Sequence, residues 1–275
     1  MEFGFLFWLF GVGIVVATCQ DLKRREVDNW LNLFLIFSSL VFVFYGALLD
    51  KEFGVILHMG FLLLVMWVVM NLFYYGRVFA GGDAKLLFAM SAFFLGVSFV
   101  ESITNVGVFL LFLMIAGSFY GLVYSGVLWY LNRERVNKEI VKQVSVHRFR
   151  VLGFVVFGVV FMVLGFVNFI FLLVGLCLGI FPFLFVFAKG LENVSMIRKI
   201  PGSKLREGDW LVEDVRVGRK VIEANWDGLS LEDIRLLKKK REVLIKEGLP
   251  FVPAFLIAFL GYGIFRGWFL GLFGF

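Results

Sequence analysis

Residues 79–85 read Phe79-Ala80-Gly81-Gly82-Asp83-Ala84-Lys85, and on both sides lie hydrophobic runs long enough to cross a bilayer. Asp83 therefore stands at the mouth of a membrane helix, where an ionisable group is unfavourable unless it has a task. The two glycines ahead of it remove side chains, which lets a helix start late and another backbone come close. Much earlier in the chain, Asp21 occupies a similar position at the end of another apolar run. Two carboxylates on one side of a membrane suggest an aspartyl dyad.

The rest of the composition fits that frame. Of 275 residues, 61% are hydrophobic and 37 are phenylalanine. A soluble domain is nearer half apolar, so the fold class is an all-α polytopic membrane protein. Cys19 and Cys177 are the two cysteines, and with no Cys-x-x-Cys pair they support neither a zinc ribbon nor a disulfide framework. The first apolar run has no basic segment before it and no small-residue cleavage site after it. It reads as a retained span, not a cleaved signal.

A span needs roughly 17–25 apolar residues to cross a core of about 30 Å. That rule places spans near 3–19, 30–49, 54–75, 86–100 and 103–131, a helical pair over 151–188 turning near 165–168, and a last span from Phe251. The total is about eight, or seven if 151–188 is one helix plus an interfacial piece. With 21–29 taken as cytoplasmic, the cytoplasmic connections are 21–29, 76–85, 132–150 and 189–250. They carry 3, 2, 6 and 14 of the Lys and Arg residues, which is 25 of 27. This is the positive-inside bias. It accounts for the net charge of +6 without nucleic acid, puts both termini outside, and sets Asp21 and Asp83 on the cytoplasmic side.

Three regions follow: a transmembrane catalytic domain over 1–188, a cytoplasmic module over 189–250 and a C-terminal transmembrane helix over 251–275. Within the module, 197–202 reads as a turn, and 209–212 and 219–222 as short strands. Residues 231–247 read as a helix, with Leu236, Leu237, Leu244 and Ile245 at helical spacing. The module is therefore small and α+β.

Two carboxyls a few ångströms apart cannot both ionise cheaply, so the pair shares a proton. One member can then deprotonate a water while the other protonates a scissile carbonyl. Asp21 lies at the C-terminal end of its helix, where the dipole disfavours negative charge, and Asp83 lies near an N-terminus, which favours it. On that basis Asp21 holds the shared proton and Asp83 is the base. Lys85 is placed to snorkel to headgroups or to pair with a carboxylate, and Arg25 to stabilise an ionised aspartate or anchor at the headgroups. Asp28 reads as an ordinary cytoplasmic charge. His58 has no partner His or Cys at ligand spacing, so no metal site is expected there.

Two motifs carry a resemblance. Asp21-Leu22-Lys23-Arg24-Arg25-Glu26-Val27-Asp28-Asn29-Trp30 is similar to an Asp-x-Lys-x-Arg-x-Val-x-Asn-Trp pattern, and Gly82-Asp83-Ala84-Lys85-Leu86-Leu87 to a Gly-Asp-x-Lys-Leu box. Both patterns belong to the archaeal preflagellin and prepilin peptidases, membrane aspartyl proteases of the GxGD type, which the chain resembles. The first glycine of GxGD is Ala80 here, with glycines at 81 and 82. Residues 204–211 and 249–256 resemble the C-terminal region of the archaeal enzymes. Within 249–256, Pro253 lies in a stretch similar to the Pro-Ala-Leu loop of presenilin-like relatives, and also reads as helix-start punctuation.

The resemblance implies that Asp21 and Asp83 are catalytic, with Gly81, Gly82, Lys85, Arg25, Asn29 and Pro253 supporting them or binding substrate. It implies no cofactor and no metal. The implied substrates are type IV pilin-like or archaellin precursors, cut between a short basic leader and an apolar helix at the cytoplasmic membrane face. Membrane lipid is the other partner. Rival readings of the same residues are an ion-coupled transporter or channel using Asp83 in a broken helix, a catalytically idle assembly scaffold, and a presenilin-like protease cutting within spans.

Overall fold

The computed structural model describes residues 4–218, 220–225 and 228–272. It is mostly helical and divides into two compact units, Met1–Leu122 with Leu249–Phe275, and Val123–Gly248. Among the described residues there are ten α-helices: α1 (Gly4–Arg24), α2 (Asn29–Asp50), α3 (Gly54–Tyr75), α4 (Gly81–Ala89), α5 (Phe99–Leu131), α6 (Arg133–Val146), α7 (Arg148–Leu164), α8 (Phe169–Leu191), α9 (Leu231–Leu237) and α10 (Val252–Leu272). Five of these, α1, α2, α3, α5 and α8, are long and apolar enough to cross a membrane. A sixth span is formed if α6 and α7, which meet at an 80° bend, count as one.

In the first unit, α1 and α2 form an antiparallel pair joined by a short connection. Arg25 ends α1 in the left-handed region, φ 60°, and its N–H returns to the Asp21 carbonyl at 2.7 Å. That αL cap closes the last turn. The Asp28 N–H then donates to Gln20 Oε1 at 3.0 Å, and α2 starts at the next residue. The core of this unit is aliphatic and aromatic, with Phe10, Leu35, Met66, Phe94, Phe109, Phe255 and Phe259 each 1% exposed or less.

The sequence predicts a continuous span over 86–100. The chain instead builds the nine-residue α4 and then a 3₁₀ turn, Ser91–Phe94. At about 1.5 Å per α residue and 2.0 Å per 3₁₀ residue these rise roughly 21 Å. Even so, the segment reaches the opposite end of the bundle. Gly96 and Phe99 line one cavity of about 620 Å³ together with Asp50, Lys51 and Gly54 of the α2–α3 connection and His58 of α3. His58 Nε2 meets Ser102 Oγ at 2.9 Å, and that oxygen accepts the Gly96 N–H at 2.8 Å. The short crossing is possible because the interior around α4 is protein. Leu86, Leu87, Met90 and Phe94 are fully buried.

In the second unit, α7 and α8 form a hairpin that turns at 165–168, as the sequence predicts. Its close contact is made by glycine. A Cβ on Gly158 would lie 2.8 Å from the Gly179 nitrogen, and one on Gly175 would lie 2.5 Å from the Met162 nitrogen. The 132–150 connection is itself mostly the helix α6.

The β-containing part departs from the sequence reading in two places. Residues 197–200 form a strand, β1 (Ile197–Ile200), not a turn. The helix over 231–247 stops at Leu237, and β5 (Val243–Lys246) follows it. β5 is the centre of a three-stranded antiparallel sheet, flanked by β1 and by β2 (Trp210–Leu211). The helical spacing of Leu244 and Ile245 is misleading. Val243 and Ile245 alternate inward at period two into a cluster with Leu205, Leu211, Ile222, Leu229 and Leu237. A hairpin of β3 (Val215–Val217) and β4 (Lys220–Ile222) completes the module, and the expected strand start at Arg219 lies outside the described residues.

Candidate active site

Asp21 sits on the buried face of α1, one turn before the αL cap, and is 5% exposed. Its Oδ2 accepts the backbone N–H of Val252 at 2.9 Å. Val252 is the first residue of α10, so that amide is one of the orphan donors every helix start leaves. Pro253 follows in the same turn, where its missing N–H is harmless. The charge of Arg25 also acts on the Asp21 carboxyl.

Asp83 is in the first turn of α4 and is 8% exposed. Its carboxyl is close enough to that of Asp21 for the two charges to interact. What brings α4 to α10 is Phe79. Its ring stacks on Phe73 of α3 at 4.8 Å and touches Phe251 and Phe255 at 5.5 and 5.8 Å. Phe79, two residues ahead of Gly81, thus ties the loop to the segment that supplies the Val252 amide.

The two glycines do less than the sequence suggests. α4 begins at Gly81 itself and does not start after the pair. A Cβ on Gly81 would meet Tyr74 at 3.6 Å, and one on Gly82 would meet the Val27 nitrogen at 3.5 Å. Both are ordinary contacts, so no forced backbone approach is present.

Lys85 and Asn29 are brought together, with Nζ donating to Asn29 Oδ1 at 3.0 Å between the starts of α4 and α2. Asp28 is more than a solvated charge. It pairs with Arg24 at 2.5 Å and accepts Trp30 Nε1 at 3.0 Å. The Arg24 hydrogen bond, aided by Trp30, holds the Asp28 carboxyl below the usual range.

The polar residues Asp21, Arg25, Asp28, Asn29, Asp83 and Lys85 of the two motifs thus lie at helix ends in the first unit, and comparison with known proteins covers the same stretch. The family described as "Type IV leader peptidase family" matches over residues 8–126. That match covers less than half of the chain. A preflagellin peptidase of Methanococcus maripaludis is 23% identical over 83 residues, which is 30% of this chain and 35% of that protein. The aligned part therefore spans about a third of that relative's length. No solved structure matches.

The matched segment holds Asp21, Arg25, Asn29, Gly81, Gly82, Asp83 and Lys85. Pro253, Phe251 and Val252 lie beyond it. Sequence reasoning missed Val252 because a backbone amide has no residue-type signature. The available signal was Pro253 one residue past a helix start, which marks an N-terminus without saying what it faces. Phe79 was missed among 37 phenylalanines.

Proposed function

We propose that the chain is a membrane aspartyl endopeptidase that removes short basic leaders from type IV pilin-like or archaellin precursors. Its active site would face the cytoplasm, in an eight-span topology with both termini outside. The observation that supports the reading is that Asp21 and Asp83 are both buried at helix ends, with the charge of Asp21 acting on Asp83, inside the stretch that matches the leader peptidase family.

In this reading water attacks the scissile carbonyl carbon while one carboxylate takes its proton and the other carboxyl protonates the carbonyl oxygen. The tetrahedral intermediate collapses by breaking the C–N bond: the departing nitrogen takes the proton from the first carboxyl, and a hydroxyl of the intermediate returns its proton to the second as the carbonyl re-forms. A backbone N–H can only donate, so the Val252 amide suits a carboxylate on Asp21. That assigns the base to Asp21 and the acid to Asp83, the reverse of what the helix ends alone suggest. The N-terminus of α10 supplies the dipole that α1 lacks at this point. The leader boundary, not the middle of a span, is the fitting cut, because both aspartates sit at helix ends.

The test is cleavage of a precursor carrying a short basic leader ahead of an apolar helix, by protein purified in detergent. Asp21→Asn and Asp83→Asn should each abolish the cut while leaving the protein folded. Cleavage that persists in both variants would remove the dyad from the mechanism.

A further inference from the structure

Two buried polar side chains near the dyad have no hydrogen-bond partner among the described residues. Asn32 is 6% exposed, with both ends of its carboxamide unpartnered, and the Thr18 hydroxyl is unpartnered at 8% exposure. A leucine and a valine would fill the same space without the desolvation penalty that unmet polar atoms carry.

Their position relates them to the site. Thr18 precedes Asp21 by three residues, so the two share one face of α1. Gly13 lies against Leu35, where an added Cβ would be 2.5 Å from Cδ2. Counting three residues from that contact toward the 25–28 connection sets Asn32 on α2 level with Val16 on α1, about half a turn from Thr18. Asn32 is also one helical turn deeper than Asn29, which holds Lys85 just after Asp83. Asn32 therefore lies within about half a turn of Thr18 in depth, and Thr18 lies one turn from Asp21.

We propose that Asn32 and Thr18 bind the backbone of the unwound substrate peptide beside the scissile bond. A helix must open before it can be cut, and each opened residue brings one N–H and one C=O needing partners. A carboxamide offers one donor edge and one acceptor in a plane, the complement of a peptide group. The Thr18 hydroxyl, which both donates and accepts, serves a neighbouring group. Because peptide groups are common to all sequences, the contact tolerates varied residues near the cut, and it selects for an extended backbone. The inference rests on the protease reading above, and it names the part of the site that holds substrate.

The test uses full-length protein in detergent with a precursor bearing a short basic leader and an apolar helix. Asn32→Leu, Thr18→Val and Thr18→Ser are compared for melting temperature, KM and kcat. Precursor binding is also measured on Asp83→Asn protein with and without Asn32→Leu. The expected result is an unchanged or raised melting temperature for Asn32→Leu and Thr18→Val, with kcat/KM lowered about tenfold for each lost hydrogen bond, mainly through KM. Precursor binding to the inactive protein weakens by a similar factor, and Thr18→Ser stays near wild type. Unchanged KM and binding in both apolar variants would mean that the pair holds water only, and would overturn the proposal. So would activity falling only in step with melting temperature, which marks a structural role. Neither outcome touches the dyad, whose own failure shows separately as cleavage by Asp21→Asn and Asp83→Asn.

Discussion

The backbone N–H of Val252 donates to Asp21 Oδ2 at 2.9 Å, joining residues 231 apart in the chain. One proposed catalytic carboxylate is thus held by the first amide of the last helix. A hydrogen bond to a charged acceptor contributes about 1.5–3 kcal/mol, more than a neutral one.

The bond can be removed without removing a side-chain partner. Val252→Pro deletes the N–H, and proline is tolerated at a first helical position. Val252→Ala keeps the N–H and loses only packing. Precursor cleavage is expected to fall about tenfold or more in Val252→Pro relative to Val252→Ala. Equal rates in the two would show that the amide contributes nothing to the reaction.

Lys85 and Asn29 form an exposed pair at 3.0 Å. Lys85→Met keeps the aliphatic stem and removes the ammonium, and Asn29→Ala removes the acceptor. If the bond orients α4 against α2, the two changes lower kcat/KM without adding, with a coupling of about 1 kcal/mol in a double-mutant cycle. Strict additivity would leave each residue with an independent task.

The glycines divide into two kinds. Gly82→Ala has ordinary space and is expected to shift stability by less than about 1 kcal/mol. Gly175→Ala drives a Cβ to 2.5 Å from the Met162 backbone, which forces α7 from α8 and destabilises by about 1–3 kcal/mol. Thermal denaturation of the purified variants ranks them. A Gly82→Ala protein that fails to fold would mean that the close approach anticipated from the motif exists after all.

Asp28 sets an acid limit on the α1–α2 connection. Its pairing with Arg24, and then with Trp30, lowers its folded-state pKa below the ordinary carboxylate value. A carboxyl depressed on folding stabilises above its unfolded pKa, and the contribution disappears as pH falls through the lower, folded value. The connection should therefore stay ordered at neutral pH and loosen in acid. Hydrogen exchange of the 25–28 amides should show that dependence in the wild type and lose it in Asp28→Asn. An unchanged profile in the variant would assign the dependence to another group.

The elements readable from sequence were those written in local chemistry. α3 was placed to the residue, and the α7–α8 turn fell where the apolar run became too long for one span. The β5 strand was misread because Leu244 and Ile245 fit a helical period as well as a strand period over so short a stretch. Only pairing with β1 and β2 distinguishes the two. The span over 86–100 was misjudged because a length rule counts lipid thickness, whereas α4 is buried in protein and need not match it.

The sequence by itself determined a mostly helical chain with runs long and apolar enough to cross a membrane, and it singled out two aspartates beside such runs, because hydropathy and charge are properties of single residues and short windows. Only the tertiary structure decided that Val252 would serve Asp21, that Phe79 would tie the glycine loop to α10, and that Asn32 and Thr18 would be buried without partners. Those relations depend on which backbone and side-chain atoms from distant segments come within about 3–6 Å of one another. No local pattern of residues encodes that distance.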